Sequence, residues 1–121
     1  MGGAEAKRTM KLDYSELDGG IRLIKLSGVL DLNGTYSVEV PFVRHCGGDN
    51  VHVLVDLSRV SYISSVGIPM LVNTAKSVVN RGGKMALLQP QDSVIKVLEM
   101  VGIPQIIPIY NDLNSALAGL K

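Results

Sequence analysis

Ser64 and Ser65 stand side by side between two strongly patterned segments. Before them runs Val51-His52-Val53-Leu54-Val55-Asp56-Leu57, nearly continuous and rich in β-branched residues, the pattern of a strand covered on both faces. After them, Ile68, Leu71, Val72, Ala75, Val78 and Val79 recur at the spacing of a helix with one buried stripe. Serines at such a junction ordinarily serve as helix N-caps. The position also suits a second chemistry. A helix N-terminus presents unpaired N–H groups and partial positive charge, and so tolerates an anion. A phosphate on either hydroxyl would add roughly −1.5 to −2 charge without disturbing the fold, while any surface docked there would meet new charge and bulk. That is the physics of a phosphorylation switch on a binding surface.

Other chemistries find no matching residues. A serine hydrolase places its nucleophile in G-x-S-x-G, but Tyr62 and Val66 flank Ser64 where the glycines belong. The phosphate cradle G-x-x-x-x-G-K-[ST] is absent, and Gly82-Gly83-Lys84 reads as a helix stop before a strand. His45 and Cys46 are adjacent and His52 lies further on, which matches no ligand spacing for a metal. Cys46 is the single cysteine, so no internal disulfide forms. The residues therefore offer no nucleophile–base pair, and no enzyme activity, cofactor or metal is expected.

Composition narrows the partners. The chain has 121 residues, 46% hydrophobic and 19% charged, enough for one packed domain. Twelve Lys+Arg against eleven Asp+Glu leave a net charge of +1, which gives no electrostatic footprint for nucleic acid. Aromatics are 4%, so a stacking platform for bases is not expected. No apolar run is long enough for membrane insertion. Met1 to Arg8 has no apolar stretch of a secretory signal, and a cytoplasmic location is expected.

The elements that would position the serines follow from periodicity. Residues 1–9 carry none and read as a flexible tail, leaving 10–121 as the domain. Alternation over Lys11–Leu17 and Ile21–Leu26 around Asp18-Gly19-Gly20 predicts a hairpin, followed by a loop over Gly28–Gly34. Tyr36, Val40 and Val43 recur at helical spacing and predict a helix, shortened or kinked by Pro41. A connection over Ser58–Ile63 then leads to the serines and to a helix reaching about Arg81. Lys84–Leu88 reads as a strand, and Val94, Val97, Leu98 and Val101 as a helix. Ile106–Ile109 reads as an edge strand beside Pro104 and Pro108. A last helix, capped by Asn111 or Asp112, carries Leu113, Ala116, Leu117 and Leu120. The order ββαβαβαβα predicts a single α/β domain with a mostly parallel sheet after the hairpin. Its expected core is Val53, Leu54, Val55, Leu71, Val72, Ala75, Val78, Leu87, Val97 and Leu98.

The run from Val55 to Leu71 resembles the signature of STAS domains, the anti-sigma factor antagonist family. That signature is an aliphatic strand ending in Asp-Leu, then an aromatic, an aliphatic, Asp, Ser, Ser or Thr, Gly and Leu. Leu26-Ser27-Gly28-Val29-Leu30-Asp31 and Val97-Leu98-Glu99-Met100-Val101-Gly102-Ile103 resemble two further family motifs, in the right order and spacing. The resemblance places Ser65 on the family's phosphorylated serine, Ser64 where Asp is usual, Val66 on the second hydroxyl position and Gly67 on the glycine. It implies an antagonist that binds an anti-sigma factor with serine kinase activity and so releases a sigma factor. Phosphorylation breaks the complex, and a PP2C-type phosphatase restores it. It also implies Ser65 as acceptor with Ser64 second, and a partner surface formed by Asp31, Asn33, Ser64, Ser65, Val66, Gly67 and Ile68. The alternative it leaves open is a non-switching STAS scaffold in a transporter or sensory complex.

Overall fold

The computed structural model describes residues 10–121; the tail expected over residues 1–9 lies outside them. Strands β1 (Lys11–Glu16) and β2 (Arg22–Leu30) form the expected antiparallel hairpin, with Leu12 opposite Leu26 and Tyr14 opposite Ile24. Its turn is a short 3₁₀ segment, Asp18–Gly20, in which Gly19 and Gly20 take φ of 82° and 78°, a backbone that suits glycine. There follow α1 (Leu32–His45), β3 (His52–Ile63), α2 (Gly67–Asn80), β4 (Lys84–Leu88), α3 (Asp92–Met100), β5 (Ile109–Tyr110) and α4 (Leu113–Leu120). The sheet order is β1-β2-β3-β4-β5, and every pair after the hairpin is parallel. The predicted α/β class and element order both hold.

Two apolar layers sandwich the sheet, because alternate side chains of each strand point to opposite faces. On one face Ile24, Leu26, Val53, Val55, Leu57 and Leu87 meet Val38 and Phe42 of α1, Leu71, Ala75 and Val78 of α2, and Val94 and Leu98 of α3. On the other, Leu23, Leu54, Ala86 and Leu88 meet Ala116 and Leu120 of α4. The expected core residues are buried, except that Val72 and Val97 are half-buried against it.

Several boundaries differ from the sequence reading. The expected loop over Gly28–Gly34 is instead the end of β2 and the start of α1. Gly28, at φ 117°, lets the strand shift register by an irregularity rather than end. The expected connection Ser58–Ile63 is the second half of β3, paired with Ser27–Leu30 of β2. Its Arg59, Ser61 and Tyr62 are exposed, which is why the segment reads as a loop. Helix α1 runs unbroken through Pro41 over 14 residues. Ile106–Ile109 is mostly not a strand: a 3₁₀ turn at Ile103–Gln105 precedes the two-residue β5. Pro104 and Pro108 withhold donors, although the Pro108 carbonyl still accepts the Leu87 N–H at 2.9 Å. β5 is an edge strand, as expected.

Tyr36, Val40 and Val43, whose spacing announces α1, are 63%, 64% and 49% exposed. The helix instead buries Gly34, Thr35, Val38 and Phe42. It carries two apolar stripes, and the one with the large Phe42 ring and the adjoining Cys46 lies against the sheet. Val79, Val101 and Leu113, at the ends of their stripes, are exposed as well.

Candidate functional site

The two serines lie where the C-terminal ends of β2 and β3 meet the N-termini of α1 and α2, and they are not equivalent. Ser64 is half-buried and fully committed. Its N–H and its Oγ both donate to the Leu30 carbonyl at 2.9 Å, across 34 residues of chain. Its Oγ accepts the Val66 N–H at 3.2 Å, and its carbonyl accepts Gly67 and Ile68 N–H at 3.1 and 3.3 Å. Ser64 thus closes the turn before α2, whose own N-cap position is Val66 with no side-chain cap bond, and ties that turn to the end of β2. Ser65, next in the turn, is exposed and carries none of these bonds.

Gly67 makes this junction tight. A Cβ there would stand 3.0 Å from Leu30 Cβ, 3.1 Å from Ile63 Cγ1 and 3.1 Å from the Leu30 oxygen. Only the absent side chain lets α2 begin against the strand ends. The arrangement corrects one expectation. The N–H groups of Val66, Gly67 and Ile68 point to Ser64, and Pro69 has none. They do not form a free cradle for an anion at Ser65, so only the general field of the helix end favours negative charge there.

Asp31 stands next to Leu30 and caps α1. Its carboxylate accepts the Gly34 N–H at 2.8 Å, and its carbonyl accepts Thr35 N–H at 2.9 Å. Asn33 is exposed in the first turn of α1. Val66 is half-buried, and Ile68 is half-buried against the core rather than presented outward. The backbone link Leu30–Ser64 is what joins Asp31 to the serine turn, and nothing in the local pattern of either segment announces it.

The sequence reading missed a surface beside this turn. Between α1 and α2 lies a groove of about 590 Å³, with Tyr36 and Val43 along one wall, Asn73 and Ser77 along the other, and Ser65 among its lining residues. The available signal was α1 itself, which has more apolar residues than one face of a helix buries.

The remaining reactive groups are engaged elsewhere. His45 stacks on Tyr14 with ring centroids 4.0 Å apart, and Arg22 donates to the His45 and Gly47 carbonyls at 2.9 and 2.7 Å. Burial pushes the Cys46 thiol up to about 12, with the Arg22 charge opposing. Among the described residues no three of His, Cys, Asp or Glu gather as metal ligands, and no helix is long and apolar enough to cross a membrane.

A five-stranded mixed sheet with three helices on one face and one on the other, and a hydrogen-bonded serine turn at the strand ends, defines a small α/β domain with a surface site. The STAS domain family model matches residues 15–116, and the chain belongs to that family. The anti-sigma-B factor antagonist of Listeria monocytogenes is 30% identical over 102 residues, covering 84% of this chain and 90% of the relative. The crystal structure of an anti-sigma factor antagonist from Mycobacterium paratuberculosis superposes with a TM-score of 0.78 at 20% identity, covering 93% of this chain and 95% of that one. The same fold recurs within the murine anion transporter Slc26a9, with a TM-score of 0.74 at 14% identity, matching 22% of the transporter.

Proposed function

We propose that this protein is an anti-sigma factor antagonist switched by phosphorylation of Ser65. The observation that carries the reading is the division of labour in the turn: Ser65 is exposed while Ser64 is held by Leu30 and Val66. A kinase can reach the first hydroxyl without dismantling anything. Phosphate on Ser64 would break its bond to Leu30 and force charge against a carbonyl. The fold alone does not select this role, since a transporter domain shares it.

In this reading the unmodified protein binds an anti-sigma factor that is itself a serine kinase, and so frees a sigma factor in the cytoplasm. The kinase transfers the γ-phosphoryl of ATP to Ser65 Oγ. The new P–O bond replaces the bond to ADP, and the hydroxyl proton passes to a base on the kinase. The chain supplies no catalytic group; it presents the acceptor. Bound phosphate brings charge that docking would desolvate, and Asp31 at the adjoining helix cap adds repulsion. A PP2C-type phosphatase restores the binding form. Asp31, Asn33 and residues 64–68 contribute the contact surface, with Ser64, Gly67 and Ile68 acting chiefly by shaping the turn.

The test is phosphosite mapping after incubation with ATP and the anti-sigma kinases encoded in the same genome. Stoichiometric phosphate on Ser65, absent from Ser65→Ala, supports the reading. Phosphate on Ser64, or on neither serine with every kinase, overturns it.

A further inference from the structure

We infer that the outer edge of β4 is a docking slot for a short extended segment of another protein, apolar where it enters the slot and acidic on either side. One residue of β4 lacks a neighbour. Lys84 N–H donates to the Val51 carbonyl at 3.0 Å, so the even-numbered residues of β4 turn their main chain toward β3 and the odd-numbered ones face outward. Leu87 and Gln89 N–H meet the Pro108 and Tyr110 carbonyls on that outer side, at 2.9 and 2.8 Å. Met85 meets nothing. Among the described residues its N–H and its carbonyl have no hydrogen-bond partner, although Met85 is buried. Buried main-chain groups are nearly always paired.

The gap exists because β5 stops short. It opposes only Leu87 and Leu88, and the chain before it is a 3₁₀ turn in which Ile106 and Ile107 N–H both donate to the Ile103 carbonyl at 2.8 Å. Beside Lys84–Ala86 lie two adjoining hollows of about 270 and 160 Å³ that share Ala75, Val79 and Ile106. Met85 and Pro108 also line the smaller one. Val79 and Ile106 are 58% and 46% exposed, so two large apolar side chains stand uncovered at one sheet edge.

The chemistry of the slot selects its occupant. A donor and an acceptor on one strand residue match an extended backbone, as in strand addition, and not a helix, whose main-chain groups are already used. The walls take a branched apolar side chain. The rim is cationic: Lys76 and Lys84 line it, and no Asp or Glu does. Lys84 is drawn aside by the Lys121 carbonyl, 3.0 Å from its Nζ, which leaves the edge open. Because β5 blocks one end at Leu87, only about three residues can pair, or about 10 Å of strand. A second copy fits less well. Its free strand edge, β1, would dock head-to-tail in a contact that does not close, and two slots brought together would oppose their lysines.

The slot is separate from the serine turn. Met85 lies level with Val53, whereas Ser64 follows the end of β3 at Ile63. At about 3.3 Å per residue along the strand, the two stand on the order of 30 Å apart. The slot therefore serves a partner whatever the state of Ser65, and the inference does not depend on the reading above.

The experiment titrates the isotope-labelled full chain with the acetylated, amidated heptapeptide Asp-Glu-Val-Ile-Val-Glu-Asp. Binding is read from the Met85 amide resonance by NMR and from fluorescence polarisation of a labelled peptide. The Met85 amide proton is expected to shift downfield and saturate. Methylating the peptide N–H groups at alternate residues, in one set and then the other, should abolish binding in one of the two. Lys76→Glu and Val79→Glu should each weaken binding roughly tenfold or more, since both set like charges together. A peptide with lysines in place of its acidic residues should prefer Lys76→Glu to wild type. Both residues are exposed, and circular dichroism checks that the variants fold. Ser65→Asp should bind as wild type does. A Met85 resonance unmoved at millimolar peptide, full affinity for both methylated peptides, or equal affinity of Lys76→Glu and wild type for the acidic peptide would overturn the inference. Loss of binding in Ser65→Asp would place the peptide at the serine turn and overturn it too. So would a wild-type dimer in sedimentation that Val79→Glu disperses, which would give the slot to a second copy.

Discussion

Replacing Ser64 and Ser65 by alanine, one at a time, separates a serine that holds the turn from one that the turn presents. Ser64→Ala removes the Oγ bond to the Leu30 carbonyl at 2.9 Å and the acceptor for the Val66 N–H at 3.2 Å. Leu30 keeps the Ser64 N–H, so its carbonyl is not orphaned. One intramolecular hydrogen bond contributes about 0.5–1.5 kcal/mol net. The same oxygen makes both bonds, so the expected loss is about 1–2 kcal/mol. Ser65→Ala removes an exposed hydroxyl with none of those bonds and should cost less than about 0.5 kcal/mol. Urea unfolding measures both, with the midpoint falling for Ser64→Ala at unchanged slope. Equal losses for the two variants, or a larger loss for Ser65→Ala, would refute the assigned roles.

Further consequences follow from the packing. Leu71, fully buried on α2, should cost about 2–5 kcal/mol on truncation to Ala, and a urea-measured loss under about 0.5 kcal/mol would show that this face is not core. Gly34→Ala would drive a Cβ into the Val29 carbonyl oxygen and within 2.7 Å of Met10 Cγ; a destabilisation of about 1–3 kcal/mol is expected by thermal unfolding, and a neutral result would mean that α1 does not start so close to β2. The Cys46 thiol, raised from 9.0 to about 12 by burial, stays protonated in the folded chain where the unfolded thiol ionises. Its stabilising effect is complete below pH 9 and is lost as pH rises toward 12, at a limiting slope of about 1.4 kcal/mol per pH unit. The difference between wild type and Cys46→Ala should therefore shrink across that window, and a pH-independent difference would contradict the buried thiol.

What the sequence discloses depends on how many answers a local pattern allows. Helix α2 and strand β4 were legible because each has one apolar pattern and glycines at Gly82 and Gly83 between them. Helix α1 offered two stripes, and periodicity cannot weigh the Phe42 ring against Tyr36 without the sheet it packs on. The far halves of β2 and β3 pair with each other, but Ser58, Arg59 and Ser61 made them read as a connection. The serine pair and its flanks marked a candidate turn, and only the resemblance to STAS domains singled out Ser65 in it. The roles within the pair were not legible, since they rest on a hydrogen bond between Ser64 and Leu30, 34 residues away. The α1–α2 groove was hidden for the same reason: it exists only once two helices lie side by side on a sheet.

The central claim is that phosphate on Ser65 alone decides whether the partner is bound. The most direct measurement is the affinity of the anti-sigma kinase for the protein before and after stoichiometric phosphorylation of Ser65, verified by mass spectrometry, with unfolding midpoints recorded for both forms. Moving occupancy from about 99:1 to 1:99 requires a change near 10⁴-fold, about 5.5 kcal/mol, while the fold stays intact. The account predicts a loss of that order with little change in unfolding midpoint, and a smaller loss for Ser65→Asp, whose single carboxylate has less charge and fewer acceptor oxygens than phosphate. Equal affinity of the two forms, or a loss explained by unfolding of the phosphorylated chain, would contradict it.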